Sequence, residues 1–436
     1  MAKFLISTMP ATGHVYPFLL TAAKLVEMGH DVRWHTGPEF AEKVQATGAK
    51  FVAMNHTRNV LQATVDAQKK KGLEAANAAM VSLFVEPMLG QLKDYQTILA
   101  DFHADALVVD MCSLGAELLY EKGGPVWASV GINPLRTAES PMYGSGQLPA
   151  TSATGRWKNR MMNKLSGVFL KATTTTFNEH RQTIGLPPIP KDKTVFDYLM
   201  SPFLHLQGTT QAFEFPYRDL PQQIHYVGPM LPPVPTDFVK PAWWAELNSG
   251  RPVVHITQGT VSTDITELVQ PTIQALADED VLVVVTTSET KKLGILPANV
   301  RVERMIPHSV LLPYVDVMVT NGGYNGVKIA LAYGVPLVGA GNTEDKPEVC
   351  SRIAWSGAGI NLKTGSPTPE QLKQAILEVL HNPAYRQKAR AIQTDFAAHD
   401  SPVEAVRLLE GLIRSENPVK LKLGAGNSVR FQSLVD

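Results

Sequence analysis

Met9-Pro10-Ala11-Thr12-Gly13-His14 follows the apolar run Phe4-Leu5-Ile6, and Ala106-Leu107-Val108-Val109 ends in Asp110. If both runs are strands of one parallel sheet, His14 and Asp110 leave the same carboxyl rim. A carboxylate beside an imidazole holds one ring tautomer and stabilises the protonated ring, which makes the histidine an effective general base. As an isolated pair they read equally as a helix-capping histidine and a helix N-cap aspartate. The second half offers different chemistry. Thr257-Gln258-Gly259-Thr260 and Asn321-Gly322-Gly323 each follow an apolar run, and the latter opens a helical pattern. Free backbone N–H groups and the positive end of a helix dipole suit a diphosphate. One such turn can be purely structural; two in one half favour an anion site.

These residues need elements to position them. Short apolar runs alternate with longer helical patterns, as in parallel α/β architecture. In the first half the runs predict strands at 3–7, 31–36, 51–54, 106–110, 126–130 and 205–207. Leu19, Leu20, Ala23, Leu25 and Val26 before Gly29 predict an amphipathic helix over 17–28 that the glycine stops. Residues 135–200 predict a helical, loop-rich insertion. The proline-dense segment 229–235 reads as a semi-rigid spacer. Alternation then restarts, with strands expected at 253–257, 281–286, 300–303, 315–320, 336–340 and 359–362. Two closing helices are expected over 369–414, then a polar tail. The organisation expected is a first domain at 1–228, a linker at 229–241, a second domain at 242–395 and a closing helix and tail at 396–436. Two doubly wound sheets facing across a cleft would put their carboxyl ends, where ligands bind, opposite each other.

With 436 residues the chain exceeds one ordinary core. Forty Lys and Arg balance forty Asp and Glu, so the field that nucleic acid or anionic membranes require is lacking. The cluster Lys69-Lys70-Lys71-Gly72 reads as a solvated loop. Cys112 and Cys350 lie far apart in no metal spacing, which fits free thiols in a reducing compartment. The first apolar run is too short for a signal peptide, and no stretch has the length of a membrane span. The expectation is a soluble, cytoplasmic protein, a monomer or weak homodimer.

Taken in order, these motifs resemble the GT-B-fold UDP-glycosyltransferase superfamily (glycosyltransferase family 1), in its bacterial macrolide-glycosyltransferase-like branch. The resemblance rests on Gly13-His14-Val15-Tyr16-Pro17, Val227-Gly228-Pro229, Ile306-Pro307-His308, Asn321-Gly322-Gly323, Gly334-Val335-Pro336 and Asp345-Lys346-Pro347-Glu348. It implies an α/β GT-B fold: an N-terminal Rossmann-like acceptor domain facing a C-terminal Rossmann-like domain that binds a nucleotide-sugar. His14 would be the general base and Asp110 its orienting partner, in an inverting O-glycosyl transfer that needs no metal and no cofactor. Thr260 and the backbone of Gly322 and Gly323 would hold the diphosphate, Met305 and Ile306 would take the base-stacking site and Asp345 the sugar hydroxyls, with Gln258, Gly259, His308, Asn321, Asn325, Gly326 and Lys346 also on the donor side.

The sequence departs from the family pattern at several donor positions. Asn321 stands for the usual His, Ile329 for a Glu that binds ribose, Gly326 for Ser or Thr, and Lys346 and His308 for Gln. An asparagine amide donates to phosphate without adding charge, and Lys346 is a candidate to offset that loss. UDP-glucose is the expected donor, with a dTDP-sugar the alternative. Met54, Met80, Phe84, Met88, Met111, Leu135, Met142 and Met161 are expected to line an adaptable apolar pocket. That pocket would suit a polyphenol such as a flavonoid, a macrolide or another lipophilic acceptor. Competing readings are a nucleotide-sugar 2-epimerase and a non-catalytic nucleotide-sugar-binding protein.

Overall fold

The computed structural model describes residues 1–58, 77–218, 220–259 and 264–414. Thr260, the Lys69–Lys71 cluster and the tail from 415 therefore lie outside the described residues. Runs such as Leu107-Val108-Val109 and Val253-Val254 show no polar alternation because each strand is buried on both faces. They assemble into two wholly parallel sheets.

The first sheet contains β1 (Lys3–Ser7), β2 (Asp31–Thr36), β3 (Lys50–Ala53), β4 (Ala106–Asp110), β5 (Val126–Gly131), β6 (Leu204–Gln207) and β7 (Ile224–Tyr226). Their order is β3-β2-β1-β4-β5-β6-β7. The second contains β8 (Val253–Thr257), β9 (Leu282–Thr286), β10 (Val300–Glu303), β11 (Val317–Thr320), β12 (Leu337–Gly339) and β13 (Gly359–Asn361), ordered β10-β9-β8-β11-β12-β13. In each sheet the chain reverses its winding at the middle: between β1 and β4 in the first, and between β8 and β11 in the second.

The helices that matter for the site are α1 (Thr12–Val15), α2 (Leu19–Glu27), α3 (Ala153–Phe169), α4 (Tyr324–Ala332) and α5 (Lys346–Trp355). The chain closes with α6 (Pro369–His381), α7 (Pro383–Ala397) and α8 (Ser401–Arg414). The expected helix over 17–28 is instead a 3-10 turn, Tyr16–Phe18, running into α2. Three closing helices form where two were expected. Asn382 ends α6 and caps α7, accepting from the Ala384 N–H at 3.1 Å, with Pro383 in the first turn. The unforeseen β7 is three residues, Ile-His-Tyr, at a sheet edge.

α8 does not pack on the second sheet that precedes it. Ala405, Val406, Leu409 and Leu412 are buried in the first domain's core with Phe4, Ile6 and Leu25. At this return crossing Gly228 takes φ +82°, and a Cβ there would stand 2.6 Å from His399. Side chains join the domains as well. Glu214, between β6 and β7, pairs with Arg352 of α5 at 2.8 Å, both fully buried. It also accepts from the Tyr324 hydroxyl at 2.6 Å, and Lys328 donates to the Gly208 carbonyl at 2.5 Å. Buried charges are tolerated only when paired and hydrogen-bonded in this way, so the cluster fixes how the two sheets face.

Candidate active site

Each half of the site lies at the reversal point of its sheet, where adjacent loops leave in opposite directions and open a crevice. In the first sheet β1 leads into α1, which carries His14, and the neighbouring β4 ends in Asp110. His14 Nδ1 lies 2.8 Å from Asp110 Oδ2, with the imidazole about one-fifth exposed (21%) and the carboxylate fully buried (0%). The Met9 N–H also donates to Oδ2 at 2.7 Å, while the Cys112 N–H and the Ser113 hydroxyl donate to Oδ1 at 2.9 and 3.0 Å. Three donors besides His14 already face this carboxylate, two backbone N–H groups and a hydroxyl, so it serves the site as an acceptor. The network therefore assigns the proton to Nδ1 of His14 and leaves Nε2 as the basic nitrogen.

His14, Asp110 and Cys112 offer atoms within 4.8 Å of one another that could in principle ligate a metal. Asp110 already accepts from the Met9 and Cys112 N–H groups and the Ser113 hydroxyl, and burial with the Asp110 charge beside it pushes the Cys112 thiol well up.

In the second sheet the loops after β8 and β11 lie side by side, Thr257 paired in register with Thr320. Asn321 stands in the cleft wall, 9% exposed. Its Nδ2 donates to the Gln258 carbonyl at 2.5 Å, tying the two turns together. Gln258 is held in turn by the Asp264 carbonyl and the Glu267 carboxylate, at 2.7 and 3.2 Å. Gly322 takes φ +86°, and a Cβ there would meet Cys350 Sγ at 2.7 Å, so the turn requires glycine. Gly322 itself faces away from the cleft, whereas Gly259, Gly323, Asn325, Gly326 and Ile329 line it. Asn325 Nδ2 reaches across to the Gly13 carbonyl at 2.8 Å.

Met305 is 70% exposed at the cleft, while Ile306 is mostly core. Burial pushes the His308 imidazole down to about 4. Burial, with the Glu344 charge beside it, pushes the Asp345 carboxyl up to about 6. Lys346 donates to Thr343 Oγ1 at 3.1 Å and pairs with Glu344 at 2.6 Å, so its charge is already shared. Lys346 nonetheless lines the cleft, where the expectation placed its charge.

Of the expected apolar lining, Met80, Phe84, Met111, Leu135, Met142 and Met161 face the cleft. Met88 does not: it is fully buried in the core with Leu92 and Tyr95. Met54, at the end of β3, also stands away from the cavity. The sequence reading missed Trp157, 64% exposed on α3 at the cleft. It missed as well the loop that docks on α5, where the Gly144 N–H donates to Glu348 at 2.6 Å and Ser351 donates to the Gly146 carbonyl. A Trp between Arg156 and Lys158 was the available signal for the first; the loop had none. The whole cleft measures about 4640 Å³, several times the ~300–1,000 Å³ of a single small-ligand pocket. It has room for two substrates.

Two parallel α/β domains meeting at a cleft of this kind make the GT-B architecture of nucleotide-sugar-dependent glycosyltransferases. The calicheamicin glycosyltransferase superimposes with TM-score 0.75 at 20% identity, over 95% of this chain and 99% of that one. The spinosyn rhamnosyltransferase complexed with thymidine diphosphate gives 0.66 at 18%, over 94% and 100%. Residues 270–412 match the erythromycin biosynthesis protein CIII-like, C-terminal domain family. The 4'-demethylrebeccamycin synthase of Lentzea aerocolonigenes is 42% identical over 421 residues, 94% of this chain and all of that protein. The chain belongs to glycosyltransferase family 1, in its bacterial macrolide-type branch, and is a glycosyltransferase. Among the described residues no helix is long and apolar enough to cross a membrane.

Proposed function

We propose that the enzyme transfers a hexose from a nucleotide-sugar, with UDP-glucose the donor, to a hydroxyl of a hydrophobic small molecule, with inversion at the anomeric carbon. The observation that carries this is the His14–Asp110 pair, 2.8 Å apart, at the rim facing the glycine turns of the other domain. His14 Nε2 takes the acceptor proton as the oxygen attacks the anomeric carbon. The bond to the diphosphate breaks on the opposite face, and Asp110 stabilises the imidazolium that forms. The positive end of α4 and the backbone of Gly323 stabilise the leaving diphosphate, with no metal required. Asp345, ionised above about 6, accepts from sugar hydroxyls.

Met80, Phe84, Met111, Met142, Met161 and Trp157 suit an apolar, partly aromatic acceptor. Ile329 lines the cleft with an aliphatic side chain, so dTDP-sugars belong in the same screen.

The test incubates the enzyme with UDP- and dTDP-hexoses and a panel of phenols and macrolides, with and without chelator. Glycoside of inverted anomeric configuration, unchanged by chelator and lost in His14→Ala, supports the proposal. Sugar interconversion without acceptor would make the protein an epimerase, and donor binding without turnover would make it a binding protein.

A further inference from the structure

α1 is a single turn, and its hydrogen-bond ladder has a gap. The His14 and Val15 N–H groups both reach the Ala11 carbonyl at 2.9 Å, and the Tyr16 N–H reaches the Thr12 carbonyl. The next carbonyl, that of Gly13, would accept from the N–H of residue 17. Residue 17 is proline, which has none. The residue before the proposed base thus has a backbone acceptor that its own helix cannot satisfy. The other domain supplies the donor: Asn325 Nδ2 stands 2.8 Å from the Gly13 oxygen.

Asn325 lies in the first turn of α4, directly after the Gly322-Gly323 turn, so its backbone belongs to the group of free N–H donors at that helix end. α4 is itself fixed to the first domain, by Tyr324 on Glu214 at 2.6 Å and by Lys328 on the Gly208 carbonyl at 2.5 Å. His14 is consequently held from two sides: its ring by Asp110 and its backbone turn by Asn325.

We infer that Asn325 is a positioning residue that ties the catalytic turn to the donor helix, setting the His14 ring relative to the bound donor, and that Pro17 creates the vacancy it fills. Its side chain is then committed to Gly13 and is not a phosphate ligand. The inference rests on His14 being the base, which His14→Ala tests separately.

The experiment compares wild type, Asn325→Ala, Pro17→Ala and the double variant. It measures kcat with saturating donor and acceptor, and the Kd of UDP by calorimetry. Small misplacements at a reacting centre cost about 100-fold, so Asn325→Ala should lower kcat by roughly 10- to 100-fold while the UDP Kd stays within about twofold. Pro17→Ala restores a backbone N–H at the gap and should recover at least about threefold of the kcat lost in Asn325→Ala, since a tenfold rate difference corresponds to only about 1.4 kcal/mol. Asn325→Asp, isosteric but lacking the donor, should reproduce the Asn325→Ala loss and serves if the alanine variant does not fold.

A UDP Kd raised about tenfold with kcat near wild type would make Asn325 a phosphate ligand and overturn the inference. So would a double variant no better than Asn325→Ala. If His14→Ala keeps its activity, the base assignment fails; if His14→Ala is inactive but Asn325→Ala is unimpaired, only the coupling fails.

Discussion

Replacing Asp110 with asparagine changes one oxygen to an amide nitrogen, and the surroundings determine what that does. Oδ2 serves Met9 and His14, at 2.7 and 2.8 Å; Oδ1 serves Cys112 and Ser113, at 2.9 and 3.0 Å. An asparagine carbonyl can serve only one of these pairs. If it faces His14, its NH₂ group confronts the buried Cys112 N–H, and the unmet donor costs about 1–3 kcal/mol of stability. The tautomer survives, but the negative charge that would stabilise the imidazolium is gone. If the amide is reversed, it confronts the Met9 N–H and donates to Nδ1 of His14. The ring proton then moves to Nε2, and the ring cannot act as a base. Both orientations damage proton transfer, so kcat should fall by about 10²- to 10⁴-fold, or roughly 3–5 kcal/mol of barrier. The assay is nucleoside diphosphate release at saturating substrates, with melting temperature measured in parallel. A folded Asp110→Asn enzyme with kcat within about threefold of wild type would refute the assignment of Asp110 as the partner of a general base.

Lys328 gives a pH signature in stability: burial pushes its ammonium down to about 7, against the pull of Glu214, from an ordinary 10.5. The unfolded chain then holds more protons between those values, so stability rises with pH across that window; Lys328→Met should remove this part of the rise in thermal melts at pH 7 to 10. Asp345, pushed up to about 6, loses its ionised acceptor as pH falls through that value; donor KM should rise there, and Asp345→Asn should abolish the dependence. Met88→Ala, in a fully buried position, should cost about 2–5 kcal/mol by denaturant unfolding. Met80→Ala, at the cleft, should instead change acceptor KM and selectivity with little loss of stability.

Strands were legible because parallel strands buried on both faces read as unbroken apolar runs, and five of them match their expected spans. His14 and Asp110 were legible as candidates because each follows such a run. Their adjacency was not, since strand order is absent from local pattern. It is the placement of β4 beside β1, with Ser7 opposite Val109, that brings them together. The residues expected to line an acceptor pocket show a subtler limit. Met80, Phe84 and Met88 are spaced by four, which on a regular helix keeps them on one face. The chain instead passes through a π-helical turn at Val81–Val85, which winds more residues per turn and rotates the face. Met80 and Phe84 reach the cleft, but Phe84 is only 4% exposed and shares its core cluster with Met88, so the strip runs from the cleft into the core.

Asn321 shows why a residue's position in a motif does not determine its partner. Opposite a diphosphate, an amide is a weaker donor than a charged imidazole, and on that footing the turn looks impaired. In the fold its Nδ2 is spent on the Gln258 carbonyl, and Lys346, the candidate replacement cation, is spent on Glu344. In the proposed reaction the backbone N–H groups and the α4 dipole would share in stabilising the diphosphate, so the placement of α4 matters. Its anchors to the first domain, through Tyr324, Asn325 and Lys328, lie on a single helix. A substitution that loosens them would disturb leaving-group stabilisation and the position of the base together.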